Sequence, residues 1–298
     1  MRTPRRAGYY RARLDVPADL EEPSVAAFWE AGSLGVEVIS AARSRRRPRV
    51  AMLAYFSDRL PRPILERRIA SALRGAGLDL HDPPRLLAQP AGDWVEQWQR
   101  TMRPMRIGRR FLIVPEGIRT PALARRIPIH IRFGQAFGTG EHATTRMSLR
   151  LLELWLAPGE SVIDLGAGTC ILSIAAHRLG ARSVLAVDND PVAIEVARDT
   201  LRRNDLTRLV RLRLDDAGHA CRAGRFDLAM VNIGATIATR ILPRVASALN
   251  RGGRAIVTGH LIEDEPDLLA RGRKVGLQGM KTLRSGPWSA LVMARPRS

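Results

Sequence analysis

Apolar and polar residues alternate from Tyr9 to Val16, the two-residue period of a strand with one buried face. Pro23 to Ala31 changes to helical spacing, and Leu34–Ser40 and Arg49–Phe56 return to the strand pattern. From Pro63 to Gly75 the spacing again predicts a helix, with proline near its start and glycine at its end. This β-α-β-β-α order begins a split βαβ sandwich, a small α+β unit of the ferredoxin-like kind. Pro90–Gly108 reads as a helix-and-turn connector in which Trp94 and Trp98, four residues apart, share one face; core packing is the plain explanation of the pair. From Phe111 onward short apolar runs alternate with helical segments. Strands are expected at Ser161–Leu165, Ser183–Asp188, Val210–Leu214, Phe226–Val231 and Arg254–Gly259, which makes a doubly wound α/β sheet. The predicted division is 1–88 for the small domain, 89–110 for a hinge and 111–298 for the α/β domain.

The 298 residues, 45% of them hydrophobic, suffice for two unequal cores. No run is long enough to span a membrane, and the start MRTPRRAGYYRARLDV lacks the apolar segment of a signal peptide, so a cytoplasmic protein is expected. Two cysteines, Cys170 and Cys221, and six scattered histidines predict neither a disulfide framework nor a metal site. The net charge of +19 suggests an anionic partner, yet lysine occurs only at 274 and 281, an arginine bias that composition alone can produce. Residues 89–132 are the most basic, with nine arginines against three acids. Contact with an RNA-rich particle through that band is one reading; a solvated arginine surface is the other.

The chemistry begins at Val162-Ile163-Asp164-Leu165-Gly166-Ala167-Gly168-Thr169-Cys170, a strand, a glycine turn and the opening of a helix whose free N–H groups face a ligand. Gly-x-Gly alone is weak. Asp188 strengthens it, because it ends the next strand, where a carboxylate accepts both hydrogen bonds of a ribose diol. A dinucleotide loop needs a third glycine where this chain has Ile171, so a pyrophosphate is disfavoured. Asp164 together with Asp188 suits a cationic nucleoside, of which S-adenosylmethionine is one; the plain alternative is that Asp164 caps its own turn. Val231-Asn232-Ile233-Gly234 follows the fourth strand at the carboxyl edge, where an asparagine offers one acceptor and two donors to an amine or serves only as a turn residue. Enzymes that methylate planar nitrogens carry an Asn/Asp-Pro-Pro-aromatic motif here; its absence favours an aliphatic amine.

These strings, with Phe137-Gly138-Thr139-Gly140-x-His142-x-Thr144-Thr145, Val187-Asp188-x-Asp190-Pro191 and Asn232-Ile233, resemble the PrmA family, bacterial methyltransferases of large-subunit ribosomal protein eleven. Gly92-Asp93-Trp94-x-x-x-Trp98, Pro104-x-Arg106-Ile107-Gly108, Leu34-Gly35-Val36-Glu37 and Ala54-Tyr55-Phe56 extend the resemblance over nearly the whole chain. The resemblance implies a class I, Rossmann-like methyltransferase domain with a seven-stranded sheet, and S-adenosylmethionine as cofactor. It makes the Gly134–Thr145 stretch part of the cofactor pocket and places Thr145, Gly166, Asp188 and Asn232 at positions that contact the cofactor; Asp164, Gly168 and Phe137 are taken as cofactor-binding candidates beside them. It also implies that the small domain grips the protein substrate and that the connector reorients the catalytic domain toward lysine ε-amines and an N-terminal amine.

Methyl transfer from a sulfonium is an in-line displacement, so the lone pair of a neutral amine must lie on the methyl–sulfur axis. Asn232 is the candidate catalytic residue, orienting that amine through its side-chain oxygen. His142 is a candidate base or, more simply, a structural histidine within its own loop. The chain departs from the family pattern at three places: Arg132-Phe133 stand where an Asp-Pro is usual, Cys170 where glycine is usual and Val231 where alanine is usual. Two other readings accompany this one. One is a methyltransferase of the same architecture for another basic protein or a small amine; the other is a non-catalytic protein bound to the ribosome or its RNA.

Overall fold

A computed structural model describes residues 9–33, 35–39, 49–58, 60–78, 84–89, 103–120, 125–131, 138, 140 and 142–297. The chain divides into two compact units, 1–101 and 102–298. In the first, β1 (Tyr9–Pro17), α1 (Glu21–Glu30), β2 (Gly35–Ile39), β3 (Arg49–Ser57), α2 (Arg62–Gly75) and β4 (Leu86–Gln89) follow in order. The sheet runs β2-β3-β1-β4 with every neighbour antiparallel, the split βαβ arrangement. Along β1 the alternation expected from sequence is observed: Ala12, Leu14 and Val16 are buried while Arg13 and Asp15 face solvent. The buried row meets Phe28 of α1 and Leu65, Ile69 and Leu73 of α2, and Phe28 lies edge-on to Phe56 with centroids 6.1 Å apart. α1 begins two residues before Pro23, which is tolerated because N–H groups of a first turn have no helical partner. β4 was not anticipated; four residues are too few for a period to register.

The second unit opens with a small sheet. β5 (Met105–Ile107), β6 (Phe111–Pro115) and β7 (Ile127–Ile131) lie in the order β5-β6-β7, antiparallel and then parallel. This corrects two expectations. Met105–Ile107 is a paired strand and not connector, and the segment from Phe111 to Ile131, expected to open the doubly wound sheet, forms a sheet of its own with it. An apolar run specifies a strand without specifying its neighbours. Trp94 and Trp98 lie outside the described residues.

Side chains fasten the small sheet to the helices that follow. Asn204 accepts from the His130 N–H at 3.0 Å and donates to the carbonyls of His130 and Thr200 at 2.7 and 2.8 Å. Glu153, on α3 (Ala143–Trp155), accepts from the N–H groups of Arg109 and Arg110 at 2.9 and 2.8 Å, closing the β5–β6 turn.

The main sheet then builds from β8 (Ser161–Leu165), α4 (Ile171–Arg178), β9 (Ser183–Asp188), α5 (Pro191–Arg203), β10 (Val210–Leu214), the single turn α6 (Ala217–Ala220), β11 (Phe226–Asn232), α7 (Ala235–Ala248), β12 (Leu249–Leu261), α8 (Glu265–Lys274), β13 (Gln278–Ser285) and β14 (Trp288–Ala294). Its order is β10-β9-β8-β11-β12-β14-β13, parallel except where β14 inserts antiparallel to both neighbours. The chain leaves β8 toward β10 and returns to β11 on the other side, so β8 and β11 flank the switch point where open α/β sheets bind ligands. α7 and α8 bury Ala238, Leu242, Val245 and Leu268 against Ile163, Val231, Val257 and Leu291. α3 lies against β12 and β14. Among the described residues no helix is long and apolar enough to cross a membrane, and no group of His, Cys, Asp and Glu side chains is placed to hold a metal.

The Asn204 clamp yields a prediction. Asn204→Ala should lower stability by about 1–3 kcal/mol, because buried backbone groups of His130 lose their partners. Denaturant midpoints at a constant slope measure this, and exposed Asn189→Ala should move the midpoint by no more than about 0.5 kcal/mol.

Candidate functional site

After Leu165 the backbone turns through three left-handed residues in five: Gly166 (φ 76°), Gly168 (φ 52°) and Cys170 (φ 66°). At Gly166 a Cβ would also lie 2.4 Å from Cγ2 of Ile233, so glycine is required by both strain and space. The loop is fastened to the end of β9. The N–H groups of Gly166 and Ala167 both reach the Val187 carbonyl at 2.9 Å, and the Gly168 N–H reaches Oδ2 of Asp188 at 2.9 Å. Oδ1 of Asp188 accepts from the Asp190 N–H at 3.0 Å. Each carboxylate oxygen keeps a further acceptor site, the arrangement a vicinal diol needs.

Asp164 lies beneath this loop, fully buried. Its Oδ2 accepts from the Ser173 hydroxyl on α4 at 2.6 Å, whereas Oδ1 has no partner. Burial raises its pKa to about 7, with the nearby Asp188 charge adding a little and the Ser173 hydrogen bonds opposing. The carboxylate therefore ties β8 to the start of α4. Cys170, which stands where the resemblance leads one to expect glycine, holds the loop's left-handed geometry at the α4 N-cap, and burial pushes its thiol pKa well up.

The upstream glycine stretch meets the same loop. The Thr169 hydroxyl donates to the Gly138 carbonyl at 2.6 Å. Phe137 lies outside the described residues, as do Arg132 and Phe133. His142 caps α3: its Nδ1 accepts from the Thr144 N–H at 3.3 Å and lies 2.7 Å from the Thr144 hydroxyl. An Nδ1 that accepts leaves the ring proton on Nε2. The ring meets Trp288 edge-on at 4.6 Å, and burial pushes its pKa down to about 4. Both features make His142 structural. Thr145, next along α3, is buried with an unpartnered Oγ1.

Asn232 ends β11, 8% exposed, and pairs in register with Thr258 of β12. The Thr258 hydroxyl donates to its Oδ1 at 2.9 Å, so Asn232 is held from the neighbouring strand and is not a turn residue bonded to itself. Thr258 lies 2.7 Å from Oγ of Ser148 on α3, and Ser148 is 2.9 Å from the Thr144 carbonyl. The carboxyl edge thus brings together Gly166, Gly168, Asp188 and Asn232, with Asp164 beneath. Thr145 shares α3 with Ser148, the residue that reaches the Thr258–Asn232 pair.

Sequence reading did not single out Thr258, Ser148 or Ser173. The available signal was a polar residue interrupting an apolar run, as Thr258 does after Ala255-Ile256-Val257. The residues fit an S-adenosylmethionine site by their leftover chemistry: buried, unpartnered oxygens on Thr145 and Asp164 and spare acceptor sites on Asp188 suit a ligand of hydroxyls and cationic groups.

Comparison with known proteins agrees. Residues 13–296 match the family model described as ribosomal protein L11 methyltransferase (PrmA). A relative of that name from Symbiobacterium thermophilum is 37% identical over 225 residues, covering 75% of this chain and 73% of its own. Another from a Synechococcus species is 32% identical over 298 residues, covering 96% of this chain and 97% of its own. A crystal structure of a ribosomal protein L11 methylase from Lactobacillus delbrueckii subsp. bulgaricus is 30% identical and superposes with a TM-score of 0.59, over 64% of this chain and 96% of that one. The glycine loop pinned by Asp188, the seven-stranded sheet with its reversed β14 and a family match over almost the whole length place this chain in the ribosomal protein L11 methyltransferase (PrmA) family.

Proposed function

We propose that this protein methylates amines of ribosomal protein L11, both lysine ε-amines and the N-terminal α-amine, with Asn232 orienting the amine that reacts. As a member of its family it is an S-adenosylmethionine-dependent protein methyltransferase. The observation that carries the site assignment is the pairing, across the switch point, of a diol-ready Asp188 with a buried and hydrogen-bonded Asn232. When bound, S-adenosylmethionine supplies a methyl group on a positively charged sulfur. Asp188 would hold its ribose, the Gly166–Gly168 backbone and Thr145 would line its pocket, and Asp164 would support the loop from below.

The incoming amine must be neutral. For a lysine of ordinary pKa near 10.4, deprotonation at pH 7 costs about 4.6 kcal/mol, which removal from water beside a cation reduces. His142 does not take the proton, since its Nδ1 lone pair faces Thr144. Loss to solvent before attack fits the described residues, and alignment of the amine then carries the catalysis. The grip on the protein substrate is assigned to the small unit within residues 1–88, on the strength of its separate core. Contact with ribosomal RNA through residues 89–132 is weakened at Arg126, whose guanidinium is engaged by the carbonyls of Gly108 and Phe111 at 3.0 Å each.

Incubation with tritiated S-adenosylmethionine and either purified ribosomal protein L11, whole ribosomes or a lysate should label that protein, and intact mass should show whole methyl increments on it. Label confined to a different protein would overturn the substrate. Asp188→Ala should weaken S-adenosylmethionine binding by about 1.5–3 kcal/mol in calorimetry, the scale of lost charge-assisted hydrogen bonds, with the circular dichroism spectrum unchanged.

Asp164 gives a pH signature. A carboxyl whose folded pKa lies above its unfolded value costs no stability below about pH 4, an increasing amount up to its folded pKa of about 7, and a constant amount above. Relative to Asp164→Asn, the native protein should therefore lose up to about 1.4 kcal/mol per pH unit as the pH rises from about 4 to about 7, and nothing further above it, as read from denaturation at several pH values. Saturating S-adenosylmethionine should flatten that slope.

A further inference from the structure

We propose that Thr258 is a positioning residue that holds the Asn232 side-chain amide in place through a buried chain of hydroxyls reaching Ser148; the inference rests on the role given to Asn232 above. Thr258 has no exposed surface and stands directly opposite Asn232 in the parallel register of β11 and β12. Its hydroxyl has one proton, which goes to Oδ1 of Asn232 at 2.9 Å. Oγ1 of Thr258 also lies 2.7 Å from Oγ of Ser148, whose single proton is shared between Thr258 and the Thr144 carbonyl, 2.9 Å away. The chain thus links α3, β12 and β11. With Oδ1 anchored on its inner side, the amide cannot swing away from Thr258 without breaking a buried hydrogen bond. The oxygen's second acceptor site remains for an amine N–H.

The backbone supports the same assignment. β12 is bulged between Thr258 and His260 in its pairing with β14, and the residue at the bulge is Gly259, with φ 86°. A Cβ there would lie 2.7 Å from the Ile233 carbonyl oxygen, a backbone atom that cannot move aside cheaply. β12 thus packs closely against the turn that follows Asn232, an approach that a side chain at 259 would block. Nothing comparable is needed to hold a surface asparagine.

The test uses the full-length protein. Thr258→Val keeps the shape and removes the hydroxyl; Ser148 can still bond the Thr144 carbonyl, so no buried hydroxyl is stranded. We expect its kcat at saturating cofactor and protein substrate to fall by about 10–100-fold, the scale of a small misplacement of a reacting group, while the cofactor Kd changes by less than about threefold. Thr258→Ser should restore the rate. The side-chain amide resonances of Asn232, assigned through their loss in Asn232→Ala, should shift in Thr258→Val and return in Thr258→Ser. Adding Thr258→Val to Asn232→Ala should lower the rate no further. Unchanged Asn232 resonances in Thr258→Val, equal losses in the Val and Ser variants, or additive losses in the double variant would each overturn the proposal. Asn232→Ala turning over at the native rate would instead defeat the catalytic role of Asn232, and the resonance shift would still decide whether Thr258 orients it.

Discussion

The site depends on one difficulty of backbone geometry. Between β8 and α4 the chain must expose its N–H groups to a ligand, which requires left-handed turns that no regular element provides. Those turns keep their shape because the end of β9 receives them: Val187 offers its carbonyl to two successive N–H groups and Asp188 its carboxylate to a third. The same carboxylate catches the N–H of Asp190 ahead of α5. The carboxylate proposed to hold the ribose is therefore the one that supports the loop, and the sheet must bring β8 and β9 side by side in parallel for that support to form.

The other half of the site is fastened from α3. That helix begins at a histidine cap, carries Thr144, Thr145 and Ser148 into the interior, and meets β12 at Thr258. Asn232 is thus controlled from outside its own strand. His142 shows how chemistry and architecture compete for one side chain: an imidazole that accepts from the helix N-terminus, buried against Trp288, has given up the lone pair a base needs.

Sequence made some of this legible and not the rest, for physical reasons. β8, β9 and β11 are short, mainly apolar runs with a polar residue at or one before the carboxyl end, so both the strands and the residues Asp164, Asp188 and Asn232 stand out. β13 did not, because Gln278–Ser285 is an edge strand with almost every side chain in solvent and no apolar period to detect. β5 to β7 have ordinary strand patterns; their separate sheet is set by partner choice, which depends on Asn204 and Glu153 far along the chain. Thr258 and Ser148 are 110 residues apart, and nothing in the composition of either neighbourhood predicts that two hydroxyls share a proton path.

Cys170 gives the loop a character that three glycines would not. A residue with a Cβ samples far fewer backbone states than glycine when the chain is unfolded, so less disorder is lost when the loop forms, while the left-handed φ stores about 1–2 kcal/mol of strain in the folded state. The hydrogen bond from its N–H to Ala167 and the anchor of Thr169 on Gly138 hold that strained shape within the protein's own framework. The cradle is then preformed by its own hydrogen bonds, so less of a ligand's binding free energy is lost to ordering the loop.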